Sequence, residues 1–219
     1  MTAHGNSHRV YREGMDEELR AELLRRTEKD QAARKALDAD AMRAVDGENL
    51  PWLKDVIAAQ GWPGASLVGA DGAHAAWLLA QHMDADPAFQ RQCLDLLTAA
   101  VEAGEATVIE LAYLTDRVLL AEGQPQVYGT QVTRGEDGSV APRDVRDPDG
   151  LDERRAAVGL PSFAEYARAF DQPWDHRTRV KCPGCGAWAP FDKPEAGQPA
   201  TVTCPECGRE ATVRLKRPS

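Results

Sequence analysis

The sequence predicts a mainly helical domain with a small β-hairpin, followed by a separate small β unit at the C-terminus. Three observations lead there. Between residues 16 and 121, stretches rich in Ala, Leu, Glu and Arg repeat their apolar residues at helical spacing. Residues 124–133 instead alternate as a strand does, and are followed by the turn sequence GEDG at 135–138. The charge also changes sign along the chain. From His176 to Ser219 there are eight Lys and Arg against four acids, formally +4, which leaves −13 on residues 1–175 of this −9 protein. An acidic body and a basic tail read as two units. The expected division is a flexible N-terminus over 1–15, a helical domain over 16–170, a linker over 171–179 and the tail unit over 180–215.

Each helix has its own signal. The first is expected over 16–42, with the apolar stripe Leu19, Leu23, Ala33, Leu37. The second starts near Asn49, with Pro51 in its first turn, and ends by Gly61. Residues 61–72, punctuated by Gly and Pro, connect it to a strongly apolar helix over 73–83. Asp86-Pro87 reads as an N-cap and first-turn proline for a helix carrying Phe89, Cys93, Leu94, Leu97 and Val101. A further helix over 106–121 places Val108, Leu111, Thr115, Val118 and Leu119 on one face. A short helix follows DPDG at 147–150, and Ser162 with Glu165 forms a capping box for the last one.

Several function classes are excluded. No run of about 18 apolar residues is present, so no membrane-crossing helix is expected. The first residues lack the apolar core of a secretory signal, and the thiol-rich tail suits a reducing cytoplasm. The net charge of −9 argues against a general nucleic-acid binder. GxSxG, HExxH, a phosphate loop and GxGxxG are all missing, which disfavours serine hydrolases, zincins, P-loop NTPases and dinucleotide-binding enzymes.

The tail holds Cys182-Pro-Gly-Cys185 and Cys204-Pro-Glu-Cys207, with 18 residues between the pairs. Two such knuckles can set four thiolates around one Zn²⁺. The segment resembles a rubredoxin-type zinc ribbon. Four thiolates fill the coordination shell, so the metal is expected to be structural, replacing a core that about 40 residues cannot build. A redox dithiol pair, or iron in place of zinc, is the competing reading. Trp188 and Phe191 offer surfaces for base stacking, but the metal centre cuts the tail's +4 to about +2. Docking to a protein is therefore the first expectation for the ribbon, and nucleic acid the second.

A recurring set of short motifs lies in the helical part: Asp30-Gln31-x-x-Arg34, Gly61-Trp62-Pro63, Gln81-His82-x-Asp84, Asp116-Arg117, and Gln126-x-Tyr128-Gly129-Thr130-Gln131. Together they resemble an uncharacterised bacterial family of unknown function over about residues 17–170. That resemblance supplies candidate positions and no reaction. Read from the residues, His82 ends the most apolar helix, where a solvated face would carry Lys or Glu, and is the acid/base candidate. Asp116, on a largely apolar stripe, is the candidate orienting it. Arg117 is a candidate anion clamp and Tyr128 a hydrogen-bonding wall. Asp30, Gln31, Arg34, Gln81, Asp84, Gln126 and Gln131 are candidate ligand-binding residues. The bland alternative is a buried, mutually satisfied polar network, and a second metal site from His82, Asp84 and Asp116 is a further option. Two functions compete: a site that binds or modifies a polar small ligand or peptide, with the ribbon as a docking module, and a non-enzymatic adaptor working through the ribbon alone.

Overall fold

The computed structural model describes residues 14–135, 139–171, 179–182, 184–185, 188–190, 199–204 and 207–214. The chain divides into two compact units, Met1–Ala167 and Arg168–Ser219. The terminal segment before Gly14, the linker at 172–178 and the centre of the GEDG turn lie outside the described residues, as does Phe191.

The first unit opens with five helices: α1 (Glu17–Lys35), α2 (Ala39–Gln60), α3 (Ala65–Gln81), α4 (Pro87–Glu102) and α5 (Val108–Ala121). Each starts where the sequence offers its first free N–H groups a partner. Asp16, Asp38 and Asp86 cap α1, α2 and α4 with their carboxylates, and Thr107 with Glu110 forms a capping box on α5. Gly64, capping α3, supplies no side chain, and Glu105 instead takes the Ser66 N–H at 2.7 Å.

The first helical boundary differs from the expected 16–42. α1 stops at Lys35 and α2 begins at Ala39, because a Schellman turn closes α1: Leu37 N–H donates to Arg34 O and Asp38 N–H to Ala33 O. Leu37 therefore sits at a positive φ of 53° and is 76 % exposed, rather than lying on the buried stripe. α2 also runs straight through Pro51, which lacks the N–H that would have reached Gly47 four residues back. Burial of Val45 and Asn49 before it and Leu53, Val56 and Ile57 after it holds the helix across that gap. α3 starts earlier than residue 73 and is interrupted at Gly69, where a φ of 73° breaks the helical run. Val108, expected on the apolar face of α5, is exposed.

The core forms around α3. Leu23 of α1, Leu53 of α2, Val68 and Leu79 of α3, Leu97 of α4 and Leu114 of α5 are all fully buried. Small residues on α3 let its neighbours come close: a Cβ added at Gly72 would stand 2.8 Å from the Val68 side chain and 3.3 Å from Arg20 of α1. Cys93 belongs to this core, and burial pushes its thiol up to about 12. After α5 the chain forms a hairpin from β1 (Val132–Arg134) and β2 (Val140–Pro142), then a short 3₁₀ turn, α6 (Leu151–Ala157) and α7 (Phe163–Asp171). The expected strand over 124–133 is thus confined to its last residues.

In the second unit each CxxC pair sits at the tip of a two-stranded antiparallel hairpin. β3 (Arg179–Lys181) pairs with β4 (Trp188–Pro190), and β5 (Pro199–Thr203) with β6 (Glu210–Arg214). Among the described residues no helix is long and apolar enough to cross a membrane.

Candidate functional site

On α1, Leu23, Asp30 and Ala33 share the buried face, so an aspartate occupies a position where helical periodicity calls for an apolar residue. Asp30 is only 1 % exposed. A carboxylate in that place needs charged or donor partners, and it has three. Gln31 donates to Oδ2 at 2.9 Å and Arg34, one turn on, to Oδ1 at 3.0 Å. The third is His82 at the C-terminal end of α3, whose Nδ1 lies 3.0 Å from Oδ1 and 2.9 Å from Oδ2. Burial pushes the Asp30 carboxyl up, but the hydrogen bond and charge of His82, with the hydrogen bonds of Arg34 and Gln31, win and hold it below the usual carboxylate range.

The same contacts set the histidine tautomer. Arg34 Nε also stands 2.9 Å from Nδ1, but a guanidinium N–H can only donate and already reaches Oδ1. A lone pair on Nδ1 would face the carboxylate and repel it. Nδ1–H donating to Asp30 satisfies all three groups and leaves the lone pair on Nε2. The His82 side chain is 12 % exposed. Through Nη2 Arg34 also reaches Asp46 of α2, donating to Oδ1 at 2.7 Å, so one guanidinium ties α1, α2 and the end of α3 together. Burial raises the Asp46 carboxyl despite that contact.

Asp116 has its hydrogen bonds with a loop and none with His82. It is fully buried on α5 and collects backbone N–H groups from the loop that follows: Val127 at 2.7 Å, Tyr128 at 3.0 Å and Thr130 at 2.9 Å. Gln126, also fully buried, spans the same loop by accepting from Gln131 N–H and donating to Gln131 O and Arg143 O. From outside, Arg155 donates to Tyr128 O at 2.6 Å and the Tyr166 hydroxyl to Thr130 O at 2.9 Å. The segment Gln126–Gln131 is therefore an irregular loop wrapped around a carboxylate, turning at Gly129 with a φ of 62°. Arg117 pairs with Asp84, Nη1 reaching both carboxylate oxygens at 2.9 and 2.7 Å. Gln90, not among the expected residues, caps α3 by donating to Ala80 O and Gln81 O, and also reaches Asp84. Gln81 is buried.

The candidate residues thus fall into a polar group of Asp30, Gln31, Arg34 and His82, which Asp46 joins from outside the expected set, a loop anchored on Asp116 and Gln126, and the pair Asp84–Arg117. His82, Asp84 and Asp116 form no metal cluster. Among the described residues the one group of three or more His, Cys, Asp or Glu arranged to hold a metal is Cys182, Cys185, Cys204 and Cys207, whose sulfurs all lie within 4.8 Å of one another. Cys182 and Cys207 are 3.6 Å apart, as are Cys185 and Cys204. Backbone N–H groups of Cys185 and Gly184 lower the Cys182 thiol to about 6, the direction a metal-ligating thiolate needs.

Fold and sites together define a helical protein with an appended four-cysteine unit. The chain belongs to DUF6624, a family of unknown function whose model matches residues 17–179. No curated protein and no solved structure matches it.

Proposed function

We propose that the helical unit carries an acid–base site acting on a polar small molecule or peptide, with His82 as the proton-transferring group. The observation that carries this reading is the contact of a buried carboxylate, Asp30, with His82 Nδ1 at 2.9 to 3.0 Å. That contact fixes the tautomer, holds the ring and stabilises imidazolium once Nε2 has taken a proton. Asp30 takes the orienting role, and Arg34 keeps Asp30 ionised. Asp116, with Gln126, holds the loop bearing Tyr128 and Gln131 in place.

The four cysteines hold one structural zinc in this reading. A tetrahedron with Zn–S bonds of about 2.3 Å has edges of about 3.8 Å, which the two 3.6 Å sulfur pairs approach. With four thiolates no position is left for an activated water. The ribbon therefore serves as a docking module, for a protein before a nucleic acid, in a reducing compartment such as the cytoplasm.

The test is a thermal-shift screen of the full chain against polar metabolites and short peptides, with His82→Gln beside it. We expect at least one compound to stabilise the wild type and not the variant, while the unliganded variant melts within about 4 °C of wild type. If no stabilisation depends on His82, the acid–base reading falls. The non-enzymatic adaptor then takes its place, with Asp30, Arg34 and His82 as a packing network.

A further inference from the structure

Two residues after His82, Asp84 and Arg117 line a cavity of about 220 Å³ together with Leu120, Ala121, Gln131 and Arg143. That is smaller than the roughly 300–1,000 Å³ of sites enclosing whole drug-sized ligands, and suits one functional group of a substrate. Two features of its arginines stand out. Arg117 gives Asp84 a single nitrogen, Nη1. Elsewhere in this chain arginines grip carboxylates with the parallel N–H bonds of Nε and Nη2, as Arg20 does with Asp71, Arg25 with Glu22 and Arg91 with Glu122. In Arg117 that edge is unspent: Nε is buried without a hydrogen-bond partner. Arg143 has no carboxylate partner among the described residues, in a chain with a net charge of −9.

The part of the lining that Gln131 and Arg143 supply is held firmly. Arg143 N–H donates to Gln131 O at 2.9 Å, and the buried Gln126 amide donates to Gln131 O and Arg143 O at 2.8 and 2.9 Å. The loop anchored on Asp116 thus carries Gln131 to the rim while α5 carries Arg117. Formal charge selects the ligand. Two guanidiniums against one carboxylate leave +1, which a carboxylate neutralises; a phosphate dianion would leave a negative site on an acidic protein. The free Arg117 edge is also the one whose geometry matches a planar carboxylate.

We propose that this cavity binds the carboxylate of the substrate, through the Nε/Nη2 edge of Arg117 with Arg143 alongside, so that the molecules acted on are small organic acids, amino acids or peptides presenting a C-terminus. The link to chemistry rests on the His82 reading above, but binding can be tested without it. Full-length protein is titrated with N-acetylglycine at constant ionic strength, following the Arg side-chain ¹⁵N–¹H resonances, with inorganic phosphate and N-acetylglycinamide as parallel probes. Saturable binding of N-acetylglycine is expected, with neither other probe binding as tightly. Affinity should fall about tenfold in Arg117→Lys, which keeps the charge and loses the fork, and several-fold in Arg143→Gln. Arg143 is exposed, so its variant reports even if the Arg117 variant fails to fold. His82→Gln should bind N-acetylglycine as wild type does, which separates this proposal from the acid–base one. Equal or tighter binding of phosphate, no saturable binding, or an unaffected Arg143→Gln would overturn it.

Discussion

The two units of this chain are held together by opposite means. In the helical unit, fully buried leucines and valines pack around α3, and the buried carboxylates Asp30 and Asp116 each have hydrogen-bond partners. In the C-terminal unit two hairpins of three and five residues per strand have little to bury, and what they bring together is four sulfurs. The first unit can tolerate charge inside because its core is large enough to surround a carboxylate with donors, a guanidinium and an imidazole at Asp30 and backbone N–H groups at Asp116. The second has no such reserve, and on the proposed reading a bound ion takes its place.

Metal removal should break the comparison most visibly. A structural zinc contributes about 10–16 kcal/mol of apparent binding free energy that is also folding free energy. Treatment with a strong chelator, or Cys204→Ser, should therefore abolish amide protection in both C-terminal hairpins while the α1–α5 amides keep theirs. Hydrogen exchange on the full chain reads both regions at once, and elemental analysis should give one zinc per chain. Loss of protection in the helical unit as well would show that the two are not independent.

Within the helical unit, buried charge is the weak point to probe. Asp30→Asn takes the carboxylate from His82 and leaves Arg34 with Asp46 alone, and should cost about 3 kcal/mol at neutral pH, the lower end for a broken buried pair. The pH dependence sharpens this. The Asp30 carboxyl is lowered in the fold, so its contribution is present above the ordinary carboxylate range, near 4, and is lost as pH falls through the depressed folded value. Asp46 works the other way: its carboxyl is raised, so its contribution is largest at low pH and is lost as pH rises through the folded value. Urea midpoints from pH 3 to 7 should show a flatter acid limb in Asp30→Asn than in wild type. An unchanged limb would mean that Asp30 is not the group being titrated.

Asp116 offers a smaller, more local effect. Three backbone N–H groups converge on it, and a hydrogen bond to a charged group is worth a net of about 1.5–3 kcal/mol. Asp116→Asn keeps the shape and one acceptor oxygen, so about 2 kcal/mol is expected. Protection should be lost at Val127, Tyr128 and Thr130 before anywhere on α5.

These residues also mark where the sequence was readable. Asp86-Pro87 opening α4, the Ser162–Glu165 capping box and the two cysteine knuckles are local signals, each complete within a few residues. Asp30 and His82 were both candidates, but their pairing spans 52 residues and depends on how α1 packs on α3, which no periodicity encodes. Asp116 and His82 both lie on apolar stripes, which suggests one site, but many buried positions satisfy that condition. The loop it organises did carry a warning. Gly129 interrupts the alternating run, and a glycine inside a strand pattern marks a bulge or close backbone approach. Arg155 and Tyr166, which close over that loop, have no local signal at all.

The smallest effect concerns the turn that brings Arg34 and Asp46 together. Leu37 takes the position after α1 that a Schellman turn usually gives to glycine, at a φ of 53° and 76 % exposed. A left-handed conformation costs an ordinary residue about 1–2 kcal/mol, and Leu37 has little burial to offset it. Part of that gain is returned in Leu37→Gly through the greater freedom of glycine in the unfolded chain. A net stabilisation of about 0.5–1 kcal/mol follows, readable as a higher urea midpoint. The substitution also discriminates between two origins of the turn. If the Arg34 contacts to Asp30, His82 and Asp46 hold the chain in this shape against leucine's preference, Leu37→Gly should stabilise wild type more than it stabilises Arg34→Gln. Equal gains in both backgrounds would mean that the α1–α2 turn is set by core packing alone, with the charged group merely accommodated by it.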